Sequence, residues 1–138
     1  MAAVINVCVD PRLNHEVLRA QVQARLEQMR LPSGRIFITN DIAGNVGSAV
    51  RNTAELLARA REEVVMAAVL HHDDCAAAGQ GLRVPLAAST QQLRSTLEEA
   101  GIRCPVLAGE IRTESNGIVW ADRPAPKYEL FTFRMPRL

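Results

Sequence analysis

The chain has 138 residues and a net charge of +1, which is enough for one compact domain with a buried core and too few for two. The balanced charge and an aromatic content of 4% argue against a nucleic-acid partner, because the sequence has no basic block for phosphates and few rings on which bases could stack. No apolar run approaches the roughly 20 residues that a membrane helix needs, so we expect neither a membrane segment nor a membrane partner.

The amino terminus and the cysteine content predict a cytoplasmic protein. The first residues, MAAVINVCVD, lack the basic start of a secretory signal, and Asn6 and Asp10 interrupt their apolar stretch. A secreted disulfide framework normally has an even and denser set of cysteines, whereas this chain has three. In a reducing compartment, thiols that are not simply core residues are more often metal ligands or catalytic groups.

Strand and helix patterns alternate along the first half of the chain. Residues 4–9 are rich in β-branched side chains and end at Asp10-Pro11, which is typical of a buried strand. A helix is predicted over 14–29, with Asn14 as its cap and apolar residues at helical spacing. The next predicted elements are a strand over 35–39, a polar loop over 40–47, a helix over 48–60 and a buried strand over 64–70.

The second half continues the alternation and ends in a hairpin and a tail. The run His71-His72-Asp73-Asp74-Cys75 follows the buried strand. The predicted elements after it are a short helix over 76–78, a helix over 89–100, a strand over 105–111 and a hairpin strand over 118–120. The tail 121–138 has an apolar patch at 130–133, which is either an edge strand or an arm that reaches a partner subunit.

This order of elements predicts an α/β fold, a single domain over residues 1–138 with a mostly parallel central sheet flanked by helices. In such sheets, ligands bind at the carboxyl ends of strands, near the point where the strand order reverses. The chemically conspicuous residues of this chain lie at those predicted ends.

Cys8, His72 and Cys75 form a candidate zinc site. Cys8 lies near the end of the first predicted strand and the other two lie just past the end of the third, so parallel strands can bring them together. Cysteine and histidine are preferred zinc ligands, and three of them leave a fourth position for water or substrate. Cys104 is predicted at the opposite edge of the sheet, which favours this open site over a closed four-ligand one. Taken singly, a buried cysteine is usually a small apolar residue, and a redox pair is not favoured because there is no Cys-x-x-Cys motif.

Asp10 and Arg12 follow Cys8 closely and can form strong charge-assisted hydrogen bonds with each other. Beside zinc, the carboxylate could orient a bound hydroxide by accepting its hydrogen bond. Away from a metal, the pair would be an ordinary salt bridge at the end of a strand. His71 is predicted on the alternate face of its strand, with a supporting or structural role, and His15 on the surface of its helix.

Together, these motifs resemble those of the β-class carbonic anhydrases. Cys8-x-Asp10-x-Arg12 followed by His72-x-x-Cys75 is similar to the two signature motifs of that family, and residues 43–46 fall where the family has a glycine-rich segment. The His-His-x-Asp-Cys form of the second motif looks most like the short prokaryotic branch. The later segments 106–109 and 117–119 also fit the family, so the resemblance covers roughly residues 4 to 120.

The resemblance implies a carbonate dehydratase, a lyase with carbon dioxide and bicarbonate as substrate and product. Cys8, His72 and Cys75 would hold Zn²⁺, and a zinc-bound hydroxide would attack carbon dioxide reversibly. Asp10 would orient that nucleophile or, as in some members of the family, take the fourth zinc position itself, and Arg12 would hold Asp10. The backbone at Gly44 would approach the substrate pocket. A homodimer or a higher homo-oligomer is also implied.

Three alternatives stay open. A hydrolase of a similar small molecule, carbonyl sulfide or carbon disulfide, would differ only in its pocket lining. A non-catalytic zinc-binding relative that acts in assembly or partner binding is favoured by His71 and Ala76, because the family usually has glycine at both positions. A flavodoxin-like module with Asp10 and Asp41 as acidic site residues ranks below these, because the chain lacks a phosphate-cradling glycine loop.

Overall fold

A computed structural model describes residues 1–32 and 34–121, which alternate between strands and helices. The strands are β1 (Ala2–Val7), β2 (Arg35–Asn40), β3 (Val64–His72), β4 (Val106–Arg112) and β5 (Gly117–Trp120). The helices are α1 (His15–Gln28), α2 (Ser48–Arg59), α3 (Ala76–Gly79) and α4 (Leu86–Glu99), with a 3₁₀ turn at Ile42–Gly44.

The strands form one sheet in the order β2-β1-β3-β4-β5. The first four strands run parallel, and β5 pairs antiparallel with β4 as the predicted hairpin. The chain passes from β1 to β2 on one side and then returns to add β3 on the other, so the strand order reverses between β1 and β3. The carboxyl ends of these two strands therefore flank the crevice where sheets of this type bind ligands.

The buried side chains form one core layer on each face of the sheet. Alternate residues of β3 point to opposite faces, so Leu70 packs with α1 while Val69 packs with α2 and α4. Every residue of β3 is buried, which explains why its apolar run is continuous rather than alternating. The predicted α/β fold with a mostly parallel sheet between helices is confirmed.

Several local predictions hold, and the structure adjusts others. Asn14 caps α1, where its Oδ1 accepts hydrogen bonds from the backbone N–H groups of Glu16 and Val17 at 2.9 and 3.2 Å. β1 ends at Val7, earlier than predicted, and the side chain of Val9 is 55% exposed. α4 begins at Leu86 rather than at residue 89, because Pro85 can stand at the start of a helix, where its missing N–H is not needed.

None of the helices within residues 1–32 and 34–121 is long and apolar enough to cross a membrane. The two predictions for the apolar patch at 130–133 lie outside the described residues.

Two adjacent leucines of α2 allow a test of which face of this helix packs against the sheet. The side chain of Leu57 is 3% exposed, whereas that of Leu56 is 65% exposed. We expect Leu57→Ala to lower the free energy of unfolding by about 2–4 kcal/mol through lost burial and a cavity. Leu56→Ala should change it by no more than about 0.5 kcal/mol. Denaturant titration of both variants checks this, and equal losses would contradict the assignment of the buried face.

Candidate metal centre

The fold brings Cys8, His72 and Cys75 together at the carboxyl ends of β1 and β3. Cys8 directly follows β1, His72 is the last residue of β3, and Cys75 lies just before α3. The two Sγ atoms are 4.0 Å apart, and both lie within 4.8 Å of a ring nitrogen of His72. All three side chains are buried. This Cys–His–Cys group could bind a metal.

The environment of His72 prepares one ring nitrogen as a ligand. Its Nδ1 lies 2.8 Å from the carbonyl oxygen of Asp73 and 3.0 Å from Oγ1 of Thr113. The Thr113 hydroxyl itself donates to the same carbonyl at 2.6 Å, and a carbonyl can only accept, so the proton of the neutral ring belongs on Nδ1. Nε2 then carries the lone pair, and it is buried without a hydrogen-bond partner. A buried polar atom without a partner is a position that an ion or an ordered water can satisfy.

The two thiols differ in acidity. Burial raises the pKa of Cys8 above its usual value. Burial acts in the same direction on Cys75, but hydrogen bonds from the backbone N–H groups of Ala78 and Ala77 and from the Cys8 thiol outweigh it and lower the pKa of Cys75. Cys75 is therefore the more readily ionised of the pair. A metal ion would ionise both, because the ligand form of cysteine is the thiolate.

Cys104 lies apart from this group, as predicted. It precedes β4 at the amino end of the sheet and packs against the core layer on the side of α2 and α4. Burial raises the pKa of its thiol to about 11, so it remains a neutral core thiol at physiological pH.

Asp10 and Arg12 form the predicted ion pair. The guanidinium of Arg12 donates from Nη2 to Oδ2 of Asp10 at 2.7 Å and from Nε to Oδ1 at 3.0 Å. These hydrogen bonds hold the pKa of Asp10 at about 2, so the carboxylate is ionised throughout the neutral range. Its Oδ2 lies 3.8 Å from Nε2 of His72, beside the candidate metal position.

Arg12 also ties the two ligand loops together. It donates to the carboxylate and to the carbonyl oxygen of Asp74, both at 2.8 Å, across 62 residues of sequence. Its hydrogen bonds with Asp10 and Asp74 raise its pKa further above the usual arginine value. Asp74 has a φ of +52°, a left-handed conformation that aspartate tolerates better than most other residues. One cation thereby fixes the segment after β1 against the segment after β3.

Gly44 lies where the backbone of the 3₁₀ turn meets the ends of β1 and β3. Its φ is +73°, and a Cβ at this position would lie 3.2 Å from the carbonyl oxygen of Leu70 and from the ring of His71. It would also lie 3.7 Å from the backbone nitrogen of Cys8. The sequence therefore needs glycine here for both its conformation and its closeness to the strand ends.

His71 lies on the opposite face of the sheet from the thiols, as the alternation along β3 predicts. Burial, followed by the nearby charges of Arg83 and His72, lowers the pKa of His71 to about 4, so it is neutral at physiological pH. Ala76, the second departure from the family pattern, is exposed at the start of α3. His15, predicted on the surface, is partly buried, and its Nε2 lies 3.2 Å from the side-chain oxygen of Asn40.

Sequence analysis missed two residues that contact His72. Thr113 follows β4, and its position at the carboxyl end of a strand next to β3 was a signal that could have found it. Arg83 lies in the loop between α3 and α4, and its Nη2 donates to the carbonyl oxygen of His72 at 2.6 Å. No pattern in that loop distinguishes Arg83 from a solvent-exposed arginine.

A known structure shares this architecture. The chain is similar to a β-carbonic anhydrase of the fungal pathogen Aspergillus fumigatus, with a TM-score of 0.57 and 13% identity over 97% of this chain and 81% of that one. It is also similar to a carbonic anhydrase from Streptococcus mutans, with a TM-score of 0.49 and 16% identity over 87% of this chain and 81% of that one. No protein-family model and no curated protein sequence matches the chain. The fold therefore matches that of the β-carbonic anhydrases, and it carries a Cys–His–Cys group that could bind a metal.

Alanine substitutions at Gly44 and Gly81 distinguish the cost of a positive φ from the cost of a steric clash. Both have positive φ, +73° and +78°, but a Cβ on Gly81 would meet nothing within 4 Å. We expect Gly81→Ala to lower the free energy of unfolding by about 1–2 kcal/mol, the cost of a left-handed alanine. Gly44→Ala should lower it further, because the carbonyl of Leu70 belongs to a buried strand and cannot move aside. Denaturant titration checks this, and similar losses would show that space at Gly44 is not limiting.

Proposed function

We propose that the chain binds one zinc ion through Cys8, His72 and Cys75 and catalyses the reversible hydration of carbon dioxide to bicarbonate. The observation that carries this proposal is the buried Nε2 of His72, which has no hydrogen-bond partner and belongs to a group whose ligand atoms all lie within 4.8 Å of one another. The match of the fold to β-carbonic anhydrases supports the reaction class.

The donor set suits zinc. Two thiolates and one imidazole are soft and borderline ligands of the kind that zinc prefers, and three protein ligands leave a fourth position. A bound zinc ion supplies a Lewis acid that lowers the pKa of water from 15.7 to about 7, which makes a nucleophile available at neutral pH. Asp10 accepts hydrogen bonds from Arg12 and faces His72 from 3.8 Å, so we propose that it supports the fourth position from outside.

Asp10 has the properties of an orienting acceptor rather than of a base. With a pKa of about 2 it holds no proton at neutral pH and has little tendency to take one. Its carboxylate can accept a hydrogen bond from the nucleophile and so turn an oxygen lone pair toward the carbon of carbon dioxide. Arg12 keeps the carboxylate in place through paired hydrogen bonds and is itself held by Asp74.

We also propose a homodimer in a reducing compartment such as the cytoplasm. The family resemblance implies the dimer, and the three cysteines are free thiols, which suits a reducing compartment. Light scattering on the purified chain checks the dimer, and the mass of a monomer would contradict it.

The first experiment measures zinc content and stopped-flow carbon dioxide hydration on the same sample from pH 7 to 9. We expect about one zinc per chain and turnover that a chelator removes and zinc restores. Cys75→Ser should abolish stoichiometric zinc, whereas Cys104→Ser, which changes a thiol at the other end of the sheet, should leave it intact. Stoichiometric zinc without turnover would contradict the hydration of carbon dioxide and favour a non-catalytic relative or a hydrolase of carbonyl sulfide or carbon disulfide. If Cys75→Ser retained stoichiometric zinc, Cys75 would not be one of the zinc ligands.

Asp10→Asn tests the orienting role. This variant should retain zinc and lose about 10- to 100-fold in turnover, because the amide keeps the shape but not the charge that Arg12 binds. Asp74→Asn is the matched control. Its carboxylate also binds Arg12, but Arg12 keeps its bonds to Asp10 and to the Asp74 carbonyl, so turnover should change little. Unchanged turnover in Asp10→Asn, or equal losses in both variants, would refute the role.

A further inference from the structure

His72 lies beyond the part of β3 that β1 supports. The ladder between these strands ends at the pair Asn6↔Val69, whereas β3 continues to His72. On its other side, β3 stays paired with β4 as far as His72↔Ile111. The end of β3 that carries the candidate ligand therefore has a neighbouring strand on one side only, and β1 offers the His72 carbonyl no partner.

The side chain of Arg83 reaches this unsupported end. Its Nη2 donates to the carbonyl oxygen of His72 at 2.6 Å, a charge-assisted hydrogen bond. Its Nε is buried, so part of the guanidinium lies in surroundings where such a bond is stronger than in water. Arg83 thus donates a hydrogen bond to the last residue of β3, as β1 does to the earlier residues of that strand up to Val69.

The segment that carries Arg83 is itself anchored to the sheet. The side chain of Asn45 forms hydrogen bonds with the residues on both sides of Arg83. Its Nδ2 donates to the carbonyl of Leu82 at 2.7 Å, and its Oδ1 accepts from the N–H of Val84 at 2.9 Å. The Asn45 carbonyl in turn accepts from Nδ2 of Asn6, in β1, at 3.2 Å. A continuous series of hydrogen bonds therefore runs from β1 through Asn45 and the 82–84 segment to His72.

We propose that Arg83 is a positioning residue of the metal centre, which holds the backbone of His72 so that Nε2 keeps its place relative to the two thiols. The proposal rests on the proposed metal binding by this group. The physical reason is that bond lengths at a metal tolerate only small errors, while a strand end without a second neighbour moves more freely than the rest of the sheet. Groups outside the ligands commonly change metal affinity about 10- to 100-fold.

Cobalt binding to the full chain tests this role without reference to activity. Co²⁺ affinity is measured by competition with a chelator, and the absorption spectrum of the bound ion reports the ligand geometry. Arg83→Gln should weaken binding about 10- to 100-fold and alter the spectrum. Arg83→Lys, which keeps the charge but has a single donor group, should restore part of both. Arg94→Gln, which changes an exposed arginine of α4, is the matched control and should match the unaltered chain.

Asn45→Ala gives a second route to the same answer. It releases the 82–84 segment without changing Arg83, and should shift affinity and spectrum in the same direction by a smaller amount. Circular dichroism of each variant reports its folding. If Arg83→Gln does not fold, Arg83→Lys and Asn45→Ala decide, and unaltered spectra and affinities in both would overturn the proposal.

The outcomes separate this role from the proposed function. A normal cobalt spectrum and affinity in folded Arg83→Gln would overturn the role of Arg83 alone, even if its thermal stability falls, because a merely structural arginine would lower stability without changing the bound ion. An unaltered chain that takes up no cobalt and no zinc would overturn the metal site and the role of Arg83 together.

Discussion

The parallel pairing of β1 with β3 is the constraint on which the candidate metal centre depends. Because β1 stops at Val7 while β3 continues to His72, the chain turns away at Cys8 and leaves a corner between the two strand ends. The register of the β1–β3 pairing decides which side chain of β3 lies in that corner. Shifting the pairing by one residue would exchange the faces of the sheet, so that His71 rather than His72 would join the thiols. Because His71 and His72 point to opposite faces of the sheet, the register decides which of these two histidines can be a ligand.

Hydrogen bonds from several parts of the chain converge on this corner and fix it before any ligand arrives. Arg12 joins the segments after β1 and β3, and Thr113 and the Asp73 carbonyl fix the ring of His72. Arg83 holds the His72 backbone on the side that β1 leaves open. A site whose supporting groups are already ordered loses little freedom on binding, which favours a single coordination geometry.

The same contacts divide the chemistry among the side chains. Arg12 keeps Asp10 ionised and confines its carboxylate to accepting hydrogen bonds. The proton on Nδ1 leaves Nε2 of His72 free for a ligand. His71, neutral and on the other face, packs against Gly44 instead of taking part with the thiols. Its departure from the family pattern therefore leaves the thiol side of the sheet unobstructed.

The sequence by itself determined the order of strands and helices, the cap at Asn14 and the candidate ligands at the ends of β1 and β3. These features depend on residues close together in the chain, where periodicity and turn chemistry act directly. Only the tertiary structure decided the contacts of Thr113 and Arg83 with His72 and of Arg12 with Asp74, which join segments 41, 11 and 62 residues apart. It also decided which of Leu56 and Leu57 is buried. Such contacts follow from strand register and from loop backbones with positive φ, and these form only when distant segments pack against one another.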